Sequence, residues 1–184
     1  MSTPSSPRPV KLIMSLLAAE KQLIADAAAE LAKAYGSIDF MSRCIPFTTT
    51  DYYREEMGEN LIRRFIAFED LLPPDQLPDI KKLTDGLEGL YTNNTGGRRI
   101  NIDPGYISQD QLILATNKKY SHRPYLKNGV YADLTLIYRK KSFRPLEWTY
   151  PDYGSAEIIE VLNRLRERYR IQLKNREKSL LPQD

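Results

Sequence analysis

The chain has 184 residues, of which 41% are hydrophobic and 28% charged, a length and balance that suit one folded domain and exclude a disordered polymer, a coiled coil and a collagen. One cysteine (Cys44) and one histidine (His122) leave no internal disulfide and no set of four ligands for structural zinc. The net charge of +3 hides an asymmetry: residues 1–92 carry 10 Lys/Arg against 14 Asp/Glu, and residues 93–184 carry 17 against 10.

Residues 1–9 are rich in Ser and Pro and read as a flexible tail. No apolar run approaches the roughly 20 residues that span a bilayer. No signal-peptide pattern stands before Val10, so a cytoplasmic protein with no membrane partner is expected. Val10 to Leu17 is apolar on both faces and predicts a central strand covered on both sides. A helix follows from Glu20 to Tyr35, with Leu23, Ala27, Leu31 and Tyr35 along one stripe and Gly36 to end it. Ile38 to Phe47 reads as a second strand. Thr48 to Asp51 supply capping residues for a short helix that Gly58 ends. Leu61 to Phe68 is a third strand, with Arg63 and Arg64 on opposite faces.

Pro73, Pro74 and Pro78 break the chain, and Ile80, Leu83, Leu87 and Leu90 mark a helix to Tyr91. Four strands are expected after the Asn93–Gly97 loop: Arg98 to Asp103, Gln111 to Thr116, Val130 to Tyr138 and Phe143 to Trp148. Asp103-Pro104-Gly105 carries a turn signature, Asn128-Gly129 a tight-turn signature, and Arg139 to Ser142 a hairpin. A last helix from Ser155 to Lys174 has the stripe Ile158, Leu162, Leu165, Tyr169 and Leu173. Its other face bears Arg164, Arg166, Arg168, Arg170 and Lys174. The order predicts an α+β domain over residues 10–176. Its expected core is a ferredoxin-like split β-α-β unit with a mostly antiparallel sheet, extended by C-terminal strands and a long C-terminal helix, with a frayed end at 177–184.

None of the nine glycines precedes Lys, so there is no P-loop, and no G-x-G-x-x-G marks NAD binding. Asn117-Lys118-Lys119-Tyr120 lacks the aspartate of a guanine-reading motif. Neither G-x-S-x-G nor H-E-x-x-H is present.

Polar and aromatic residues concentrate in five segments: Thr50–Gly58, Asn101–Tyr106, Thr116–Tyr125, Tyr131–Asp133 and Trp148–Tyr153. Nine of the twelve tyrosines lie in or beside them, which suits the wall of a ligand pocket and equally the cover of a sheet. Arginine forks onto phosphate or carboxylate, and histidine moves a proton near neutral pH, so Arg123 beside His122 is the sharpest pair. His122, Asp103 and Glu56 are the expected catalytic groups. Arg123, Asp51, Tyr52, Tyr53, Tyr106, Tyr125, Trp148, Tyr150, Asp152 and Tyr153 are the expected ligand contacts. Two or three of the carboxylates Asp51, Glu56, Asp103 and Asp152 would suit Mg²⁺ or Mn²⁺ if they met, while a helix cap at Asp51 and a turn at Asp103 are the structural alternatives.

Together, Pro9-Val10-Lys11-Leu12, Thr50-Asp51-Tyr52-Tyr53 with Glu56-Met57-Gly58, Asn101 to Tyr106, Leu114-Ala115-Thr116 with His122-Arg123, Gly129 to Ala132, and Trp148 to Tyr153 resemble a bacterial family, domain of unknown function 4416. The resemblance covers about residues 9–174. It implies no activity and no catalytic residue, and the GTP-binding label that some members carry finds no P-loop or guanine motif here. From the residues themselves the first expectation is a small-molecule site for an anionic or phosphate-bearing ligand, enzymatic or not. The rivals are a nucleic-acid module using aromatics on an open sheet face and a protein-interaction domain without chemistry. Oligomeric state is left open.

Overall fold

In the computed structural model, which describes residues 3–179, the elements are β1 (Val10–Ala18), α1 (Lys21–Tyr35), β2 (Ile38–Met41), β3 (Ile45–Pro46), α2 (Arg54–Met57), β4 (Ile62–Leu72), a 3-10 turn (Pro74–Gln76), α3 (Leu77–Leu90), β5 (Ile100–Ile107), β6 (Gln111–Thr116), β7 (Tyr125–Lys127), β8 (Val130–Arg139), β9 (Ser142–Pro145) and α4 (Ala156–Ser179). The chain is α+β. One sheet takes the order β2-β4-β1-β5-β6-β8-β7, with β3 beside β4 and β9 beside β8, and every pairing is antiparallel.

All nine residues of β1 are buried, because layers cover both faces of the strand. Leu12, Met14, Leu16 and Ala18 face α1 and α3 in one core, with Leu23, Ile24, Leu31, Ile80 and Leu87. Ile13 faces the other core, where Ile158, Leu162, Leu165, Tyr169 and Leu173 of α4 pack on Phe65, Ile107, Leu112 and Phe143. These five α4 residues are the predicted stripe. Alternation along each strand thus sorts side chains into two layers. Lys11 is fully buried under α4, where its Nζ donates to Asp39 Oδ2 (2.8 Å), the Phe68 carbonyl (2.8 Å) and Gln172 Oε1 (2.9 Å).

Tyr169 of α4 donates its hydroxyl to the Pro9 carbonyl at 2.8 Å. Tyr169→Phe keeps the ring and removes that bond, so it is expected to lower stability by about 1 kcal/mol. The measurement is a shift of the urea midpoint at unchanged slope.

Several boundaries differ from expectation for local reasons. Ile38 to Phe47 is two short strands, because Ser42 breaks the ladder: its N–H donates to the Phe65 carbonyl, and its Oγ accepts the Phe65 N–H at 2.9 Å. Tyr125–Lys127, outside the expected strands, forms β7, and the predicted Asn128-Gly129 turn joins it to β8 with both residues at positive φ. β9 ends at Pro145 rather than Trp148. In α3, Leu83 and Leu90 are exposed, and Lys81, Thr84 and Glu88 are buried in their place. α4 runs on to Ser179, so positions 177–179 are helical. Residues 1–2 of the expected tail and 180–184 of the expected frayed end lie outside the described residues.

The largest correction is Asp103-Pro104-Gly105, which is strand rather than turn. Pro104 pairs with Met14, and Gly105 pairs with Ile13 on one side and Leu114 on the other. The β5–β6 ladder covers only Gly105 to Ile107. Alternate residues of a strand turn their backbone groups to the same edge, so Pro104 presents a missing donor where that ladder would continue. One step further, the Ile102 N–H bonds Glu88 Oε1 at 2.6 Å and the Ile102 carbonyl accepts from Lys81 Nζ at 3.5 Å. Side chains of α3 thereby replace the absent strand, and β5 and β6 part.

Candidate functional site

A cleft of about 620 Å³ opens where β5 and β6 part, on the sheet face that also carries α4. Such a volume suits a metabolite-sized ligand. β4 contributes Arg63, β5 contributes Asn101 and Asp103, and β6 contributes Leu114 to Thr116. Register places Arg63 and Asn101 on either side of Leu17, and Phe65 and Asp103 on either side of Ser15. Lys81 and Asp85 of α3 line the same cleft from the opposite layer. The segments before α2, after β6 and after β9 form the walls.

Arg63 is 3% exposed. Its guanidinium lies between the rings of Phe47 (4.9 Å) and Tyr153 (5.0 Å). Nη1 is 2.5 Å from Asp152 Oδ2, an ion contact without the alignment of a hydrogen bond. Nε and Nη1 have no hydrogen-bond partner, and the same is true of the neighbouring buried Ser15 Oγ and Tyr153 hydroxyl. Buried polar groups are nearly always satisfied, and each exception costs about 1–3 kcal/mol. Four such atoms side by side therefore set this floor apart.

The remaining cations are held by named partners. Lys81 Nζ is 2.8 Å from Asp85 Oδ1. Burial works against the Lys81 charge, but Asp103, Glu88 and Asp85 hold its pKa above the ordinary lysine value. Arg98 binds both oxygens of Glu56 (Nε–Oε1 2.7 Å, Nη2–Oε2 3.0 Å), and its Nη1 donates to Glu88 Oε2 (2.9 Å) and Asn101 Oδ1 (3.0 Å). That hydrogen bond pulls the Glu56 carboxyl below the usual range. Arg123 Nε donates to Asp133 Oδ2 at 2.7 Å, and its other donors reach the Lys118 carbonyl and the Tyr150 hydroxyl, both at 3.2 Å. Lys118 Nζ donates to the Tyr52 hydroxyl at 2.8 Å and so joins two walls. Burial, then the charge of Asp103, raises the Tyr53 phenol, and burial raises the Tyr153 phenol. Both remain neutral O–H donors at physiological pH.

Among the residues predicted from sequence, Asp103, Arg123, Tyr52, Tyr53, Tyr150, Asp152 and Tyr153 line the cleft together. The others stand elsewhere. His122 lies behind the wall, stacked on Trp148 (4.9 Å) and Tyr120 (5.8 Å), with Nε2 3.9 Å from Asp133 Oδ2. The Trp148 indole N–H donates to the Leu134 carbonyl at 2.8 Å. Glu56 is engaged by Arg98, and Asp51 is exposed beside Arg54. Tyr106 packs against the small core of Leu77, Ile113 and Val130, and Tyr125 is exposed on β7 against Tyr131. Among the described residues no three His, Cys, Asp or Glu side chains come together in a way that could hold a metal ion. Asp103 and Asp152 share the cleft, while Asp51 and Glu56 stand outside it. Arg63, Lys81, Arg98 and Lys118 are the cleft cations that sequence reasoning did not select as site residues. A charged residue on the inward face of an apolar strand, as Arg63 is, was the available signal.

No described helix is long and apolar enough to cross a membrane. The model of the family described as Domain of unknown function (DUF4416) matches residues 8–169, and the chain belongs to that family. No curated protein and no solved structure matches it.

Proposed function

We propose that the cleft binds a small anionic ligand, with phosphate the best-fitting group, and that Arg63 is the residue that receives it. The carrying observation is the buried guanidinium whose Nε and Nη1 lack hydrogen-bond partners. Only the misaligned Asp152 contact competes with an incoming anion for those donors. Arginine presents its donors as a planar fork that matches phosphate. Lys118 and Arg123 add positive charge at the walls, and the neutral Tyr53 and Tyr153 phenols add O–H donors. Phe47, Tyr52 and Tyr150 supply flat apolar area beside these groups. Asp103, the cleft carboxylate without an ion pair among the described residues, is the group best placed for acid–base work if the ligand is also a substrate.

The scaffold for this site is read as a ferredoxin-like unit in a single domain. Support comes from the β5-β1-β4-β2 order of the first half, its antiparallel pairs, and α1 and α3 in one core. The rival reading as a nucleic-acid platform loses its main requirement. α1 and α3 cover one face of the sheet, α4 covers part of the other, and the cleft walls surround the aromatics that remain.

Titration with inorganic phosphate at constant ionic strength tests the proposal. Saturable thermal stabilisation is expected, reaching about 2.7 kcal/mol at 100 times Kd. A flat response at 50 mM phosphate would refute it.

A further inference from the structure

We infer that the ligand carries hydroxyl groups beside its phosphate, as a phosphorylated sugar does, and that Asp103 is the residue that reads them; this rests on Arg63 receiving the phosphate. Four carboxylates line the cleft. Asp85 is paired with Lys81 (2.8 Å), Asp133 with Arg123 (2.7 Å) and Asp152 with Arg63 (2.5 Å). Among the described residues Asp103 has no ion pair. Its one side-chain hydrogen bond is from Asn101 Nδ2 to Oδ2, at 2.8 Å.

That bond fixes the carboxylate rather than neutralising it. Asn101 is itself oriented, because its Oδ1 accepts from Arg98 at 3.0 Å. Arg98 is clamped in turn by Glu56 and Glu88. The chain of contacts leaves Asp103 Oδ1 as an aimed acceptor with no donor among the described residues. A second anion would be repelled there, and an apolar group would leave a charge desolvated. A hydroxyl, which donates O–H and carries no charge, satisfies it at the lowest cost.

Placement agrees with one ligand meeting both groups. Arg63 and Asp103 stand on the two strands that flank β1, two residues apart along it, and both side chains line one cleft. Strands two apart in a sheet are separated by about 10 Å, and the Asp103 charge acts on Arg63 across that gap. A span of that order fits a phosphate and the hydroxyls of a five- or six-carbon chain.

The test is calorimetric titration of the full chain with inorganic phosphate, methyl phosphate and ribose 5-phosphate. Methyl phosphate offers the same anionic group without the hydroxyls. Ribose 5-phosphate is expected to bind about tenfold or more tightly than methyl phosphate, as a hydrogen bond to a charged acceptor provides. Asp103→Asn keeps the shape and the Asn101 contact, and Asp103→Ser removes the carboxyl. Both should bind methyl phosphate at least as tightly as the parent, because a negative charge is gone from the cleft, while losing most of the sugar phosphate's advantage over it. Retained methyl phosphate binding also shows that the variants are folded. Equal affinity for the two esters in the parent chain, or an advantage that survives both substitutions, would overturn the hydroxyl reading alone. A parent chain that binds none of the three probes would overturn the phosphate reading, and this one with it.

Discussion

Arg63→Met should abolish measurable phosphate binding and lower stability by about 3 kcal/mol, and a second substitution should restore the stability without restoring the binding. Methionine fills much of the arginine stem's volume and keeps an apolar contact with Phe47 and Tyr153. It removes the charge that faces Asp152, whose side chain is 10% exposed. An uncompensated buried carboxylate typically costs about 3–5 kcal/mol, whereas replacing both partners of a buried pair by apolar groups is often neutral. Arg63→Met with Asp152→Leu should therefore regain most of the lost stability. Phosphate affinity should fall by about 100-fold or more in both variants, because two charge-assisted hydrogen bonds are missing from the complex. The double substitution separates the two roles. If it binds phosphate as the parent does, Arg63 holds the fold and another cation holds the ligand.

Gly105→Ala should cost about 3 kcal/mol or more, the upper range for forcing atoms into a packed interior. A β-carbon at position 105 would stand 2.4 Å from the Ile113 carbonyl oxygen, 2.6 Å from Leu114 Cδ2 and 3.2 Å from Leu114 Cα. The first of these is backbone, and β6 is held on its far side by the pairs Ile113↔Leu134 and Leu114↔Asp133, so it has nowhere to retreat. The reason for glycine here is close approach of two strands and not a left-handed turn. Chemical denaturation measures the loss. A change below about 1 kcal/mol would show that the two strands can spread, against the packing described.

Position 105 also shows where sequence and structure diverge. Pro-Gly after a strand is a turn signature by local chemistry, and only the neighbouring strand reveals that glycine admits β6 at close range while proline ends the ladder with it. Local periodicity served well where burial is one-sided or complete: β1, the α1 stripe through Leu23, Ala27 and Leu31, and all five stripe residues of α4. It misled in α3, where Leu83 and Leu90 are exposed while Lys81 and Glu88, seven residues apart, face inward because Ile102 needs their side chains.

The site was legible as a set of segments and less so as a set of atoms. Tyr52, Tyr53, Asp103, Arg123, Tyr150, Asp152 and Tyr153 meet because strands β4, β5, β6 and β8 and three connecting segments converge, a juxtaposition that no spacing encodes. His122 drew attention as the lone histidine, but stacking between Tyr120 and Trp148 places it in the wall. Arg63 sat in plain view as a cation among Leu61, Ile62, Phe65 and Ile66. Its inward alternation marked it as costly, and its lack of hydrogen-bond partners became visible only in three dimensions.

The margins of the sheet bear on how the protein behaves in a crowded solution. The long strands β4 and β8 lie inside. The outer rows are fragments: four residues in β2, two in β3 including Pro46, three in β7 including Lys127, and four in β9 including Pro145. A neighbouring chain needs a long, flat, unpaired strand to dock against, and short strands, lysine and proline all deny it one. The described sheet therefore offers little template for edge-to-edge aggregation, and growth by strand exchange between copies is disfavoured at both ends.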